Sequence, residues 1–460
     1  MQSQKAHSLT TADWRELDRS HHLHPFTDLH AYSASGGRII SRAEHIYIYD
    51  SDGNEILDGM SGLWCCNLGY TQPAIVTAVA EQLARLPYYN SFFNCSNEPA
   101  VALARELSDV TPGPFNHFFF TSSGSEANDT NIRIVHRYYE LMDQPDKKHI
   151  ISRHGAYHGS TIAAASLGGM PHMHKQITKL DYVHHVEQPY WFKDGGDMTP
   201  DEFGLQAARS IEDKIDELGE GRVAAFIAEP IQGAGGVIVP PASYWPAVQK
   251  ICRERDILFI SDEVICGFGR TGSWFGCETY DLEPDLLTFA KGVTAGYQPL
   301  GGVAVSDKVS DVLTAGGGEF AHGYTYSGHP AACAAALATI DILREQNIVK
   351  HVADDVGRYF GQEVKKLSDH PVVGEVRTMG MLAAFELVRD KNTREPLAPK
   401  NAGAIACRDA AVQKNLMVRA VADAIISAPP LVCTTDEIDL LIERLTKALD
   451  QTAADFGVKT

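Results

Sequence analysis

Short apolar runs punctuate the chain and set its plan. Residues 224–228, 257–260 and 286–290 are almost wholly apolar, the mark of strands buried on both faces of a parallel sheet. Residues 244–256 have helical periodicity between two of them, so strand and helix alternate as in a doubly wound α/β sheet. Further strands are expected at 118–120, 150–152 and 301–305, with helices from about 124 to 140, at 74–86 and at 331–345. Ahead of these, 46–58 reads as a β-hairpin around Asp52-Gly53-Asn54, and residues 11–20 as a short helix. Beyond about 345 the pattern predicts a charged helix over 352–367, a strand over 379–387 and a helix near 402–414. The expected organisation is therefore an N-terminal segment, 1–70, packed with the small domain; a large domain, 71–345; and a C-terminal small α/β domain, 346–460.

At 460 residues with 44% hydrophobic content, the chain can build a sizeable core. Lys+Arg 40 against Asp+Glu 59 gives a formal charge of −19, which disfavours nucleic acid or an anionic membrane as partner and leaves small molecules. Nine cysteines lack C-x-x-C spacing, so no zinc site or disulfide framework is indicated, and a reducing cytoplasm is expected. No apolar stretch is long enough for a membrane span, and the N-terminus lacks a signal-peptide core. His21, His22 and His24, for which no carboxylate or cysteine partner is expected, read as a surface lead-in with no metal.

Chemistry concentrates where strands end. Asp262 and Lys291 each come after an apolar run, the edge at which open α/β sheets hold ligands. A lysine and an acid at one site suit pyridoxal phosphate, the lysine forming a Schiff base and the acid keeping the pyridine nitrogen protonated. Glu229 stands at a third strand end. Ser123, Gly124 and Ser125 open a helix, with Ser123 and Glu126 at capping-box spacing, and such a start binds phosphate through unpaired amides. Tyr157 and His158 lie between glycines, where an aromatic ring can approach a flat ligand. Leu63, Trp64 and Phe92 sit on apparent loops and can wall an apolar pocket or fill core. Arg419 comes after an apolar run, as an end-of-strand charge or a carboxylate clamp. Residues 267–272, GFGRTG, carry the letters of a dinucleotide motif but lead into no helix start, so a Rossmann site is rejected.

The ordered set TSSGSEAND, YHGST, AEPIQGAGGVIVPP, SDEVICGFGRTG, FAKG and YTYSGHP resembles the class III pyridoxal-phosphate aminotransferases, and HHLHPFTD, GMSGLWCCNLGY and LPYYNSFF resemble the ω-transaminases within them. The resemblance implies fold type I, with Lys291 as the Schiff-base lysine and proton carrier, and Asp262 on the pyridinium. It also implies Ser123, Gly124, Ser125, Tyr157, His158, Glu229 and Val264 around the cofactor, and Thr325 contributed by the second subunit of a homodimer that could pair into a tetramer. Leu63, Trp64, Phe92, Tyr157, Ala234 and Arg419 would line the substrate pocket. Several relatives have glutamate where Ala234 stands; alanine leaves the arginine without that partner and favours bulkier, uncharged amines. The activity implied is ping-pong transfer of an amino group from a primary amine to pyruvate. The alternatives are a dedicated putrescine–pyruvate enzyme, a racemase or decarboxylase on the same scaffold, and an NAD-dependent dehydrogenase.

Overall fold

The computed structural model describes residues 9–458. Its organising element is a seven-stranded sheet built from β1 (Phe115–Thr121), β2 (His149–Arg153), β3 (Val183–Val186), β4 (Val223–Ala228), β5 (Leu258–Asp262), β6 (Leu286–Phe289) and β7 (Gly301–Ser306). Across the sheet the order is β1-β7-β6-β5-β4-β2-β3. Only β7 runs antiparallel to its neighbours, β1 and β6; the others pair in parallel. Every residue of β4, β5 and β6 is buried, as their unbroken apolar sequence requires, and each fully buried Ile, Leu or Phe contributes about 1.5–3 kcal/mol. Parallel strands end at one edge, so the chain leaves Ala228, Asp262 and Phe289 side by side. This is the mainly parallel sheet of fold type I, flanked by helices such as α1 (Gly124–Leu141), which packs on β6 and β7.

Two smaller sheets complete the fold. The N-terminal hairpin, Tyr47–Asp50 with Glu55–Asp58, gains a third strand, Ile40–Glu44, and a fourth from far along the chain, Leu416–Met417, which pairs in parallel with Glu55–Asp58. Val373–Met379, Leu382–Asp390, Ala424–Ser427 and Arg419–Val421 form the other, with the short strand Glu395–Pro396 paired to Leu382–Asp390 and Arg419 opening the edge strand.

Two expectations are corrected. The helix over 352–367 is two helices, Ile348–Asp354 and Val356–Lys366. The chain breaks at Asp355 (φ −130°, ψ −92°), and Gly357 is packed so tightly that a Cβ there would lie 2.3 Å from the Val352 carbonyl oxygen. The strand over 379–387 is the second arm of a hairpin whose turn holds Gly380 at φ 54°. Its Cβ would meet the Arg270 carbonyl oxygen at 2.5 Å, so only glycine fits that turn.

Candidate active site

A cavity of about 1000 Å³ opens at the carboxyl edge of β4, β5 and β6, lined by Glu229, Asp262 and Lys291 among others. Lys291 lies two residues beyond β6 with φ 49°, a left-handed conformation that costs a non-glycine residue about 1–3 kcal/mol. Burial lowers its ammonium below the usual lysine range, opposed by the negative charges of Cys65, Asp262 and Glu229. Such a lysine is more readily neutral, hence nucleophilic and able to accept a proton.

Asp262 ends β5 and is buried. Its Oδ2 is 2.7 Å from His158 Nδ1 and accepts from Asn128 Nδ2 at 2.8 Å, and its Oδ1 accepts the Val264 amide at 3.2 Å. Those contacts hold the carboxylate in one orientation. His158 Nε2 is buried with no partner among the described residues. Glu229, directly after β4, accepts the amides of Tyr157 at 3.2 Å and Gly233 at 2.9 Å. It thereby ties the Tyr157 loop to the loop carrying Ala234. Burial raises its carboxyl above the usual range.

Opposite the lysine, α1 begins at the cavity wall, where Ser122, Ser123, Gly124 and Ser125 are exposed to it. The first amides of a helix have no intrahelical partner. That of Glu126 is taken by Ser123 Oγ at 3.2 Å, and Glu126 reaches back to the Ser122 amide at 2.7 Å. The amides of Gly124 and Ser125 are left for an anion. A Cβ on Gly124 would stand 2.8 Å from Val264 Cγ2, and one on Gly159 2.5 Å from Ser125 Oγ, so the cradle depends on both glycines.

Above the cavity, the Trp64 ring lies 5.2 Å from Lys291 Nζ and 4.9 Å from Arg419 Cζ. Leu63, Tyr157, Val264 and Ala234 complete the expected wall. Pro25 and Phe26 join it, with Phe26 edge-on to Tyr157 at 6.4 Å. Sequence reasoning missed both, along with Asn128, one turn into α1 from the phosphate-cradle serine; an asparagine on the inward face of that helix was the available signal.

Two expected site residues are not brought to this cavity. Phe92 packs against Gly323, with a Cβ there only 2.9 Å from its ring, and the Thr325 carbonyl accepts from Tyr88 Oη at 2.8 Å. Both lie on one exposed patch. The reading of the histidines is also corrected in part: folding brings the Asp18 carboxylate to 3.2 Å from His22 Nδ1 and 3.0 Å from His24 Nε2. GFGRTG has a structural use, since buried Arg270 donates to Met381 O, Pro429 O, Ser61 Oγ and Asn67 Oδ1.

The donor set fits pyridoxal phosphate: amides at a helix start for the phosphate, an oriented carboxylate for the ring nitrogen, and a buried amine for the aldehyde carbon. Comparison with known proteins agrees. The aminotransferase class-III family matches residues 31–449. The chain is 53% identical over 445 residues to the putrescine–pyruvate aminotransferase of Pseudomonas aeruginosa, covering 96% of this chain and 97% of that one. It is 44% identical over 422 residues to γ-aminobutyrate transaminase 3 of Solanum lycopersicum, covering 90% and 81%. The crystal structure of the ω-transaminase from Pseudomonas jessenii in complex with PMP superposes with a TM-score of 0.95 at 37% identity, covering 97% of this chain and 99% of that one. With fold, site and sequence in accord, the chain belongs to the class III aminotransferases.

Proposed function

We propose that this aminotransferase is an ω-transaminase that moves the amino group of a primary amine to pyruvate, giving alanine and an aldehyde or ketone. Its cofactor is pyridoxal phosphate, which supplies, when bound, an aldehyde that takes up amino groups and a protonated ring that withdraws electrons. Lys291 Nζ would hold the cofactor through its aldehyde carbon, and the same nitrogen, when free, would accept a proton from the substrate carbon and return it. Asp262, oriented by His158 and Asn128, would pair with the ring nitrogen. Gly124 and Ser125 hold the phosphate, Ser123 shapes that cradle through its cap on Glu126, Tyr157 and Val264 enclose the ring, and Glu229 fixes the loops on either side. The division of the chain at residues 70 and 345 belongs to the same reading.

One observation carries the choice of substrates: Arg419 stands over Trp64 at the cavity wall, with Ala234 where an acid would hold it. An arginine free of an internal carboxylate can clamp the carboxylate of a keto acid, while Leu63, Trp64 and Tyr157 exclude water around an uncharged amine substituent. The patch bearing Phe92 and Thr325 would complete the cavity of a second subunit, making the enzyme a homodimer; a cytoplasmic location accompanies this reading. The bacterial putrescine–pyruvate relative favours a second reading, an enzyme dedicated to diamines.

A panel of aryl, alkyl and diamine donors with pyruvate, monitored by alanine formation, tests both. Activity across the panel is expected; activity on diamines alone selects the second reading, and none with any donor defeats both. In the same assay Arg419→Ala is expected to raise the KM for pyruvate roughly 10- to 100-fold, the worth of a charged hydrogen-bonded pair, and to leave the KM for an uncharged-substituent amine within about threefold.

A further inference from the structure

Cys65 and Cys66 are adjacent in sequence, with their sulfurs 3.9 Å apart. Of the nine cysteines, seven are buried; only Cys65 and Cys95 are partly exposed. Among all of them Cys65 alone lines the substrate cavity, behind Trp64 and near enough to Lys291 for their charges to interact. Two glycines pack against the sulfur pair. A Cβ on Gly62 would stand 3.2 Å from Cys66 Sγ and 3.4 Å from Cys65 Sγ, and one on Gly296 3.2 and 3.3 Å, so a side chain at either would crowd the pair; Gly296 also faces the cavity. No step of the proposed amino transfer uses this thiol.

The geometry points to Cys65 as a covalent acceptor for small α,β-unsaturated aldehydes that enter the substrate cavity. This goes beyond the amino-transfer reading, but rests on it in one respect: a cavity that releases aldehydes admits them. A cysteine sulfur is a soft, intrinsically strong nucleophile, and the conjugated β-carbon is its matching electrophile. The electron pair of the Cys65 thiolate forms a C–S bond to that carbon. The C=C π pair moves to the α-carbon, which takes a proton from water. Nothing is oxidised and nothing leaves, so the protein gains the full mass of the aldehyde. The adduct occupies the space between Trp64 and Lys291 and closes the cavity to amines.

The local chemistry supports a reactive sulfur. Cys66 is placed to donate to Cys65 Sγ, and this contact holds the Cys65 thiol below the usual range; partial burial opposes it, and the Leu63 amide and the positive charge of Lys291 reinforce it. Cys66 is pushed up, by that contact first and by burial next, so it stays protonated as the donor.

The test exposes the holoenzyme to crotonaldehyde at pH 7, assays activity in aliquots drawn at timed intervals, then reduces those aliquots with borohydride and maps peptides by mass spectrometry. The Cys65 peptide is expected to gain one aldehyde about tenfold faster than the Cys95 peptide, in step with loss of activity. Cys65→Ser is expected to resist inactivation. Equal or faster labelling of Cys95, or inactivation with Cys65 unlabelled, would overturn the proposal. The wild-type map decides the matter even where the serine variant folds poorly. Its result is independent of the donor panel, so the two readings fail separately.

Discussion

Replacing Lys291 with alanine is expected to lower alanine formation from amine and pyruvate by about 10⁴-fold, the upper range for loss of a positioned acid–base group, while the protein stays folded. Lys291 is the one lysine among the described residues that line the cavity, so no neighbouring amine can take over proton transfer. Its removal also takes away the only covalent hold on the cofactor, and the variant should release it on dialysis when the parent does not. Retention of more than about a tenth of the parent rate, measured at saturating cofactor, would remove Lys291 from the chemistry.

The second large effect is expected of Asp262→Asn. The amide is nearly the same size and can still accept from Asn128 or His158, but it carries no charge to keep the ring nitrogen protonated. A fall in kcat of about 10²- to 10³-fold is expected, the range seen when one preorganised electrostatic partner is lost, with weaker cofactor binding and little change in thermal stability. Titration of the refolded apoprotein with pyridoxal phosphate measures the binding, and steady-state kinetics at saturating cofactor the turnover. An unchanged kcat would mean the carboxylate does no more than position His158.

Asp262 and Lys291 were legible in the sequence because buried strands are continuous apolar runs and parallel strands share an edge, so the residues just beyond two such runs must meet. Lys291 stands one residue further from its strand than the pattern suggests, since Ala290 leaves β6 before the left-handed turn. The phosphate cradle was legible for a related reason: small hydroxyl residues and glycine between strand and helix have few other uses. The role of Asn128 depends on the rotation of α1 against the sheet, and the contact of Phe26 with Tyr157 on where the N-terminal chain crosses the cavity; neither is a local property. The strand at Leu416–Met417 joins Glu55–Asp58 across most of the chain, a pairing no short-range period encodes. The hairpin turn at Gly380 and the break at Asp355 are decided by contacts with Arg270 and Val352, which the apolar pattern around them conceals. Phe92 and Thr325 took their expected roles from resemblance alone, and a single chain leaves both at its surface.

Covalent attachment of the cofactor at one nitrogen underlies all of the proposed chemistry. Borohydride reduction of the holoenzyme, with peptide mapping of the product, reads it directly. One phosphopyridoxyl-bearing peptide, containing Lys291, is expected at about one equivalent per chain. Attachment at a different lysine, or a cofactor that washes away unreduced, would contradict it.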